Sequence, residues 1–169
     1  MDCGTILNPL LTKIGGSCID DEPGWGNFGD PRVVDFLVKY GKEFPTEGLE
    51  LLKETPFLDH RKPLDPGNCH KNCFELRCYA PNGPSEYQIV HGWALSDDGI
   101  WYCHSWCIKT TAPETIIETT HSRIAYFGFV VPDGIHPLST WIVPSTMGDQ
   151  LENWRKPAAS VSVPLEERK

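Results

Sequence analysis

Residues 87–108, YQIVHGWALSDDGIWYCHSWCI, decide the fold. In the first part Tyr87, Ile89, His91, Trp93 and Leu95 recur at every second position. Successive side chains of a strand point to opposite faces, so this period is that of a half-buried strand. Ser96-Asp97-Asp98-Gly99 is hairpin chemistry, because Gly reaches turn conformations that other residues avoid and Asp bonds its own backbone. Residues 100–108 return as the partner strand. A four-residue turn closed by Leu95 and Ile100 sets His91 opposite His104.

Downstream, Thr110-Thr111-Ala112-Pro113 reads as a second turn and 115–120 as a third strand. Residues 124–131, IAYFGFVV, are apolar almost throughout and read as a fourth, well-buried strand. A fifth strand is expected at 139–143 and a short amphipathic helix around 146–155. Upstream the period becomes helical. Cys69, Cys73, Leu76 and Ala80 are spaced four, three and four residues apart, which is one helical stripe. Pro66-Gly67-Asn68 precedes that helix and Pro81-Asn82-Gly83-Pro84 closes it. Another helix is expected from Asp30, a good N-cap, with Pro31 in its first turn and Gly41 at its end. A weaker helix is expected at 46–54, burying Leu49, Leu51 and Leu52. Residues 1–29 are rich in turn residues, and 56–66 hold three prolines and read as loop. Helices first and a meander of strands after them give an α+β class, with N-terminal helices packed on an antiparallel sheet. Residues 1–156 are expected to form one globular domain and 157–169 a flexible tail.

With 169 residues the chain is long enough for a real core. Its net charge of −8 argues against a nucleic-acid surface, which needs a basic footprint. No stretch approaches the roughly 20 apolar residues of a membrane span. No basic segment precedes the short apolar run at the N-terminus, so no cleaved signal peptide is expected. A cytoplasmic location follows as the expectation. The seven cysteines, at 3, 18, 69, 73, 78, 103 and 107, cannot all pair within one chain. Reduced thiols are then the default, most of them small buried apolar residues.

Cys69 differs from the rest because it sits in the first turn of its helix. There the helix dipole and free N–H groups favour an anion, which lowers a thiol pKa. The same N–H groups can hold an oxyanion. A thiolate nucleophile works with a base, and the base with an orienting group. His104 lies on the return strand and Glu118 on the next one. A hairpin centred on residue 111 sets them opposite one another on a shared face, with Cβ atoms roughly 5 Å apart.

Gly67-Asn68-Cys69 at a helix start, His104-Ser105-Trp106 on a strand and Glu118-Thr119-Thr120 on the following strand resemble the papain-like and transglutaminase-like cysteine enzymes. The resemblance covers about residues 65–131. It implies Cys69 as nucleophile, His104 as general base and acid, and Glu118 as orienter. The implied reactions are peptide hydrolysis, deamidation or transamidation at the amide carbonyl of a protein or peptide. Two departures stand out. The acid is Glu where Asp or Asn is commoner, and Pro63 stands where the papain branch has a Gln. An oxyanion hole would then be built from backbone N–H groups, Asn68 or Asn72.

His91 is a candidate for the same cleft, or a hydrogen-bonded structural histidine. Trp93, Trp101, Trp106, Tyr126 and Phe127 read as core, with a binding groove as the alternative and Trp106 also a candidate cleft residue. The strings Cys69-His70-Lys71-Asn72-Cys73 and Cys103-His104-Ser105-Trp106-Cys107 have the look of zinc ligands. In a strand, however, residues four apart lie roughly 13 Å from one another, and His104 faces away from both its flanking cysteines. No metal and no cofactor is assigned. Two alternatives stay open beside the enzyme: a non-catalytic binding module of the same fold, and a small zinc-stabilised binding protein.

Overall fold

The computed structural model describes residues 3–16, 18–19, 31–55, 62–64, 67–133, 135 and 144–155. The elements run α1 (Cys3–Ile14), β1 (Cys18–Ile19), α2 (Pro31–Tyr40), β2 (Lys42–Phe44), β3 (Glu50–Leu51), β4 (Glu54–Thr55) and β5 (Lys62–Pro63). They continue with α3 (Cys69–Tyr79), α4 (Gly83–Glu86), β6 (Tyr87–Leu95), β7 (Ile100–Lys109), β8 (Ala112–Glu118), β9 (Ala125–Val130) and α5 (Pro144–Arg155). The chain is a mixed α+β protein built on a mostly antiparallel sheet. Its strand order is β2-β9-β6-β7-β8-β3, with β1 added in parallel beside β7. The short β3 also joins in parallel, against β8.

Period-two alternation divides the core in two. Ile89, Trp93, Leu95, Trp101, Cys107 and Ile117 face the helices. There they meet Leu7 and Leu11 of α1, Phe36 and Leu37 of α2, Cys73 and Leu76 of α3, and Leu151 of α5. On the opposite face Val90, Ala94, Trp106, Ile108, Ile116 and Tyr126 pack with Phe44. Trp101 and Trp106 are both fully buried, one on each face. Truncating a side chain of that size costs about 3–5 kcal/mol.

The helix at Pro31, the helix of the Cys69 stripe and the strand 87–95 lie where the sequence patterns predict them. The 115–120 strand lies at Ala112–Glu118, and that of 124–131 at Ala125–Val130. Residues 46–54 are not helical. They carry β3 and the start of β4, and Leu51 is exposed. Leucine periodicity over one short window lost there to pairing with β8. Residues 3–14, read as part of a turn-rich segment, form α1. Leu7 and Leu11 are fully buried one turn apart, and the Trp101 indole N–H donates to Gly15 O at 2.7 Å to fasten the end of that helix. Asp30, the strand expected at 139–143 and the tail 157–169 lie outside the described residues.

Both hairpins depart in register from the sequence reading. The β6–β7 ladder pairs Leu95 with Trp101, and Ser96 N–H donates to Ile100 O. Asp97-Asp98-Gly99 is therefore a three-residue loop, with Gly99 at φ +81° and Asp98 Oδ1 accepting from Ile100 N–H. This is the type I turn plus left-handed residue that three-residue hairpins favour. A shift of one residue exchanges faces, so His91 lies opposite Ser105, and Gly92 opposite His104.

In the β7–β8 ladder Cys107 faces Ile117 and Ile108 faces Ile116, but Lys109 faces Ala112. The extra residues bulge out around Pro113, which has no N–H to give the ladder. Glu118 is thereby level with Trp106 rather than with His104. The displacement is two residues, so both side chains stay on one face and meet diagonally, within reach of long side chains.

Candidate active site

The outer edge of β7 is where the site forms. Along that edge β8 covers Cys107–Lys109 and β1 covers Ile100 and Trp101. Among the described residues, positions 102–106 have no ladder partner there. The tip of α3 occupies this gap. Asn72 Nδ2 donates to Thr119 O at 3.2 Å, and Cys73 Sγ lies 3.7 Å from Thr119 Oγ1, both just past the end of β8. On the other side the Cys107 thiol reaches Cys73 O at 3.8 Å. From the gap α3 can address both faces of β7 at once: Cys69 approaches His104, and His70 approaches Ser105.

His104 is buried on the face away from the helices. Its Nε2 lies 2.9 Å from Glu118 Oε2, so Nδ1 is the nitrogen left for the Cys69 sulfur. The ring stacks on the Trp106 indole, with centroids 6.1 Å apart and planes inclined by 21°. Part of the space for the Trp106 ring comes from glycine. Gly92 of β6 lies opposite His104, and Gly128 of β9 lies opposite Gly92. A Cβ at Gly128 would come within 2.7 Å of Trp106 Cη2.

Glu118 is fully buried, and every oxygen lone pair has work. Oε1 accepts from Thr119 N–H, Thr120 N–H and Thr120 Oγ1–H, each at 2.9 Å. Oε2 accepts from Tyr126 O–H at 2.8 Å and faces His104. Burial pushes the Glu118 carboxyl up, but His104, the Thr120 N–H and the Tyr126 hydroxyl outweigh it and hold the pKa at about 2. Tyr126 is driven well above the ordinary phenol value by burial and by that carboxylate.

Cys69 follows the N-cap Asn68, whose side chain makes no capping bond. Burial of the sulfur favours the thiol. The charge of His104 and then that of His70, with hydrogen bonds from both, reverse this and bring the pKa well below the ordinary thiol value of 9.0. For His104 burial favours the neutral ring. The Cys69 thiolate and the Glu118 carboxylate overcome it and raise the pKa to about 10. The two shifts together favour a thiolate–imidazolium pair over the neutral pair. Cys73, Cys78 and Cys103 behave in the opposite way. Burial raises Cys73 and Cys103 well above 9.0 and raises Cys78 by less.

Cys69, His104 and Glu118 therefore come together, in the order sulfur, ring, carboxylate. The remaining candidates do not all join them. His91 is on the opposite face of the sheet from His104, beside Ser105, because of the register shift. Asn72 is buried and directed at Thr119 O, so it ties α3 to β8 rather than pointing at a substrate. Trp106 is fully buried between His104, Phe44 and Tyr126 and is a wall behind the ring rather than a cleft residue. Asn68 stays beside the sulfur, half-buried at the helix tip. Sequence reasoning missed Tyr126 and His70 as site residues. Tyr126 carries no local signal. His70 was legible only as part of a zinc-like string, and its partner Ser105 needed the correct hairpin register.

Among the described residues, no group of three His, Cys, Asp or Glu side chains is arranged to hold a metal ion. Also among them, no helix is long and apolar enough to cross a membrane. No protein-family model, curated protein or solved structure matches the chain. The reading of its function rests on the site itself.

Proposed function

We propose that the chain is a cysteine-dependent acyl-transfer enzyme acting on the amide carbonyl of a protein or peptide. The observation that carries this reading is the row Cys69–His104–Glu118, half-buried at the sulfur and buried beyond it, with a lowered thiol at a helix tip and a carboxylate-held imidazole beside it. A nucleophile on a helix, a base on a strand and an acid on the next strand also support likeness to the papain-like and transglutaminase-like core.

In this reaction the Cys69 thiolate attacks the carbonyl carbon. The carbonyl π electrons move to oxygen, and that oxyanion lies at the start of α3. The first helical bond of α3 is Asn72 N–H to Asn68 O, which leaves the N–H groups of Cys69, His70 and Lys71 without an acceptor in the helix. Such donors stabilise a developing oxyanion because they are already oriented. His104 Nδ1–H then protonates the leaving nitrogen, and the C–N bond breaks to give a thioester and an amine. The now neutral imidazole takes a proton from water or an acceptor amine, which attacks the thioester; the C–S bond breaks and the thiolate–imidazolium pair is restored. Through Nε2, Glu118 keeps the ring in the tautomer and orientation that both steps require.

One observation favours the non-catalytic alternative. Asn72 is committed to Thr119 O, so the described residues supply mainly backbone donors for the oxyanion. The two readings part on acylation. Incubation with p-nitrophenyl acetate at pH 6.5 should release a burst of nitrophenol and leave one acetyl group on Cys69, seen by peptide mass mapping. Cys69→Ala should lose both. Folded wild-type protein that shows neither burst nor acetyl-Cys69 removes the enzymatic reading and leaves the binding module.

A further inference from the structure

On the helix-facing side of β7 lies a second hydrogen-bonded chain that the triad does not use. Ser105 Oγ sits 2.8 Å from His91 Nδ1 and 2.7 Å from His70 Nδ1. The two imidazole centroids are 5.3 Å apart. His70 Nε2 in turn lies 3.8 Å from Cys103 Sγ. Ser105 is fully buried and His91 nearly so, which makes this a fixed interior arrangement.

A serine hydroxyl has one proton. With a ring nitrogen on each side, it donates to one and accepts from the other, so the two histidines must carry opposite Nδ1 roles. If His91 Nδ1–H donates to Ser105 Oγ, Ser105 Oγ–H donates to His70 Nδ1. His70 then holds its proton on Nε2, the side that faces sulfur. In the reverse order a ring with a single proton has Nε2 bare and meets sulfur as an acceptor. A thiolate at Cys69 favours the first arrangement, because an anion is stabilised by N–H donors and repelled by lone pairs.

We propose that His70 is a second positioning residue for the Cys69 sulfur, its Nε2–H turned toward the sulfur atoms by the chain His91 Nδ1–H to Ser105 Oγ–H to His70 Nδ1. The proposal rests on Cys69 being the nucleophile and adds a second N–H donor to the one from His104. It gives Ser105 and His91 a role as supports that fix a tautomer. The titratable groups around the sulfur are His70 and Cys73 from α3, Cys103 and His104 from β7 and Glu118 from β8, with His91 of β6 behind them. Burial, with His70 and His104 nearby, keeps His91 well below the ordinary imidazole value, so it enters the chain as a neutral ring.

Two measurements on the full chain test this. The first is a ¹⁵N-imidazole correlation spectrum of protein with assigned histidines. It should show His91 as the Nδ1–H tautomer and His70 as the Nε2–H tautomer; the opposite assignment overturns the proposal. The second is the pH dependence of Cys69 alkylation by iodoacetamide. His70 is half-buried in the first turn of α3, so His70→Ala should remain folded. It should raise the Cys69 midpoint by about one unit and slow alkylation below that midpoint roughly tenfold. Ser105→Ala should move the midpoint in the same direction, and His70→Gln, which keeps an N–H donor, should recover part of the loss. A folded His70→Ala protein with the wild-type profile overturns the proposal while leaving the triad intact. A wild-type midpoint at the ordinary thiol value overturns both.

Discussion

Replacing Glu118 by Gln changes one atom type and removes one charge, yet the structure makes it a severe change. The carboxylate accepts three hydrogen bonds at Oε1 and meets two donors at Oε2. An amide has an acceptor at one end and two N–H donors at the other. If its oxygen takes the Oε2 place, its NH₂ faces the N–H groups of Thr119 and Thr120. Turned round, it faces the Tyr126 hydroxyl and the His104 N–H. Either way buried donors meet donors, and the His104 imidazolium loses its counter-charge. Breaking a buried pair by removing one partner costs about 3–5 kcal/mol. The depressed pKa gives the same scale independently. A drop from the ordinary 4.5 to about 2 corresponds to about 3 kcal/mol of stabilisation at neutral pH. Its sign is that of a lowered acid: the contribution is complete above pH 4.5 and fades as pH falls toward 2. Urea unfolding at pH 7 should therefore show Glu118→Gln less stable by about 3–5 kcal/mol, a large share of the roughly 5–15 kcal/mol typical of a domain. A loss below about 1 kcal/mol would refute the reasoning, since it would mean that the carboxylate is neither ionised nor essential to its donors.

Three further outcomes are expected. The Cys69–His104 pair should give a flat stability profile between about pH 6.5 and 9. Below it unfolded His104 takes up a proton that the folded pair does not, so unfolding free energy falls as pH drops; above it unfolded Cys69 loses one that the folded pair keeps, so unfolding free energy falls as pH rises. Gly92→Ala should cost about 1–3 kcal/mol or more, because a Cβ there would meet Phe127 O at 2.1 Å and Gly128 Cα at 2.4 Å, both backbone atoms; thermal unfolding measures it. Tyr126→Phe should cost about 1–3 kcal/mol, read by urea unfolding, because it removes a donor to Glu118 and an acceptor for Arg123 N–H.

Much of this site is legible in the sequence, and the reason is local. The stripe Cys69, Cys73, Leu76, Ala80 between Pro66 and Pro81 specifies a helix and puts a thiol at its tip without reference to the rest of the chain. Alternation over Tyr87–Leu95 does the same for the central strand. What failed was information held in turns and in tertiary pairing. The loop Asp97-Asp98-Gly99 closes on Ser96 and Ile100, one residue from the closure read from sequence, which moved His91 from the His104 face to the Ser105 face. The bulge near Pro113 slid Glu118 two residues along its partner, and the His104–Glu118 contact survived only because an even shift preserves the face. Residues 46–54 pair with β8 and with β5, contacts that a leucine count cannot foresee. Helix α1 was hidden among glycine- and proline-rich neighbours, although Leu7 and Leu11 lie one turn apart.

The rate of iodoacetamide alkylation of each cysteine, followed by peptide mapping from pH 4 to 11, bears most directly on the chemistry proposed for this chain. Cys69 should be modified well below the pH at which Cys73, Cys78 and Cys103 react, and its rate should change again near pH 10 as His104 gives up its proton. A Cys69 rate that stays negligible until the ordinary thiol range near 9.0, rising there like that of any free cysteine, contradicts the thiolate–imidazolium pair and the function built on it.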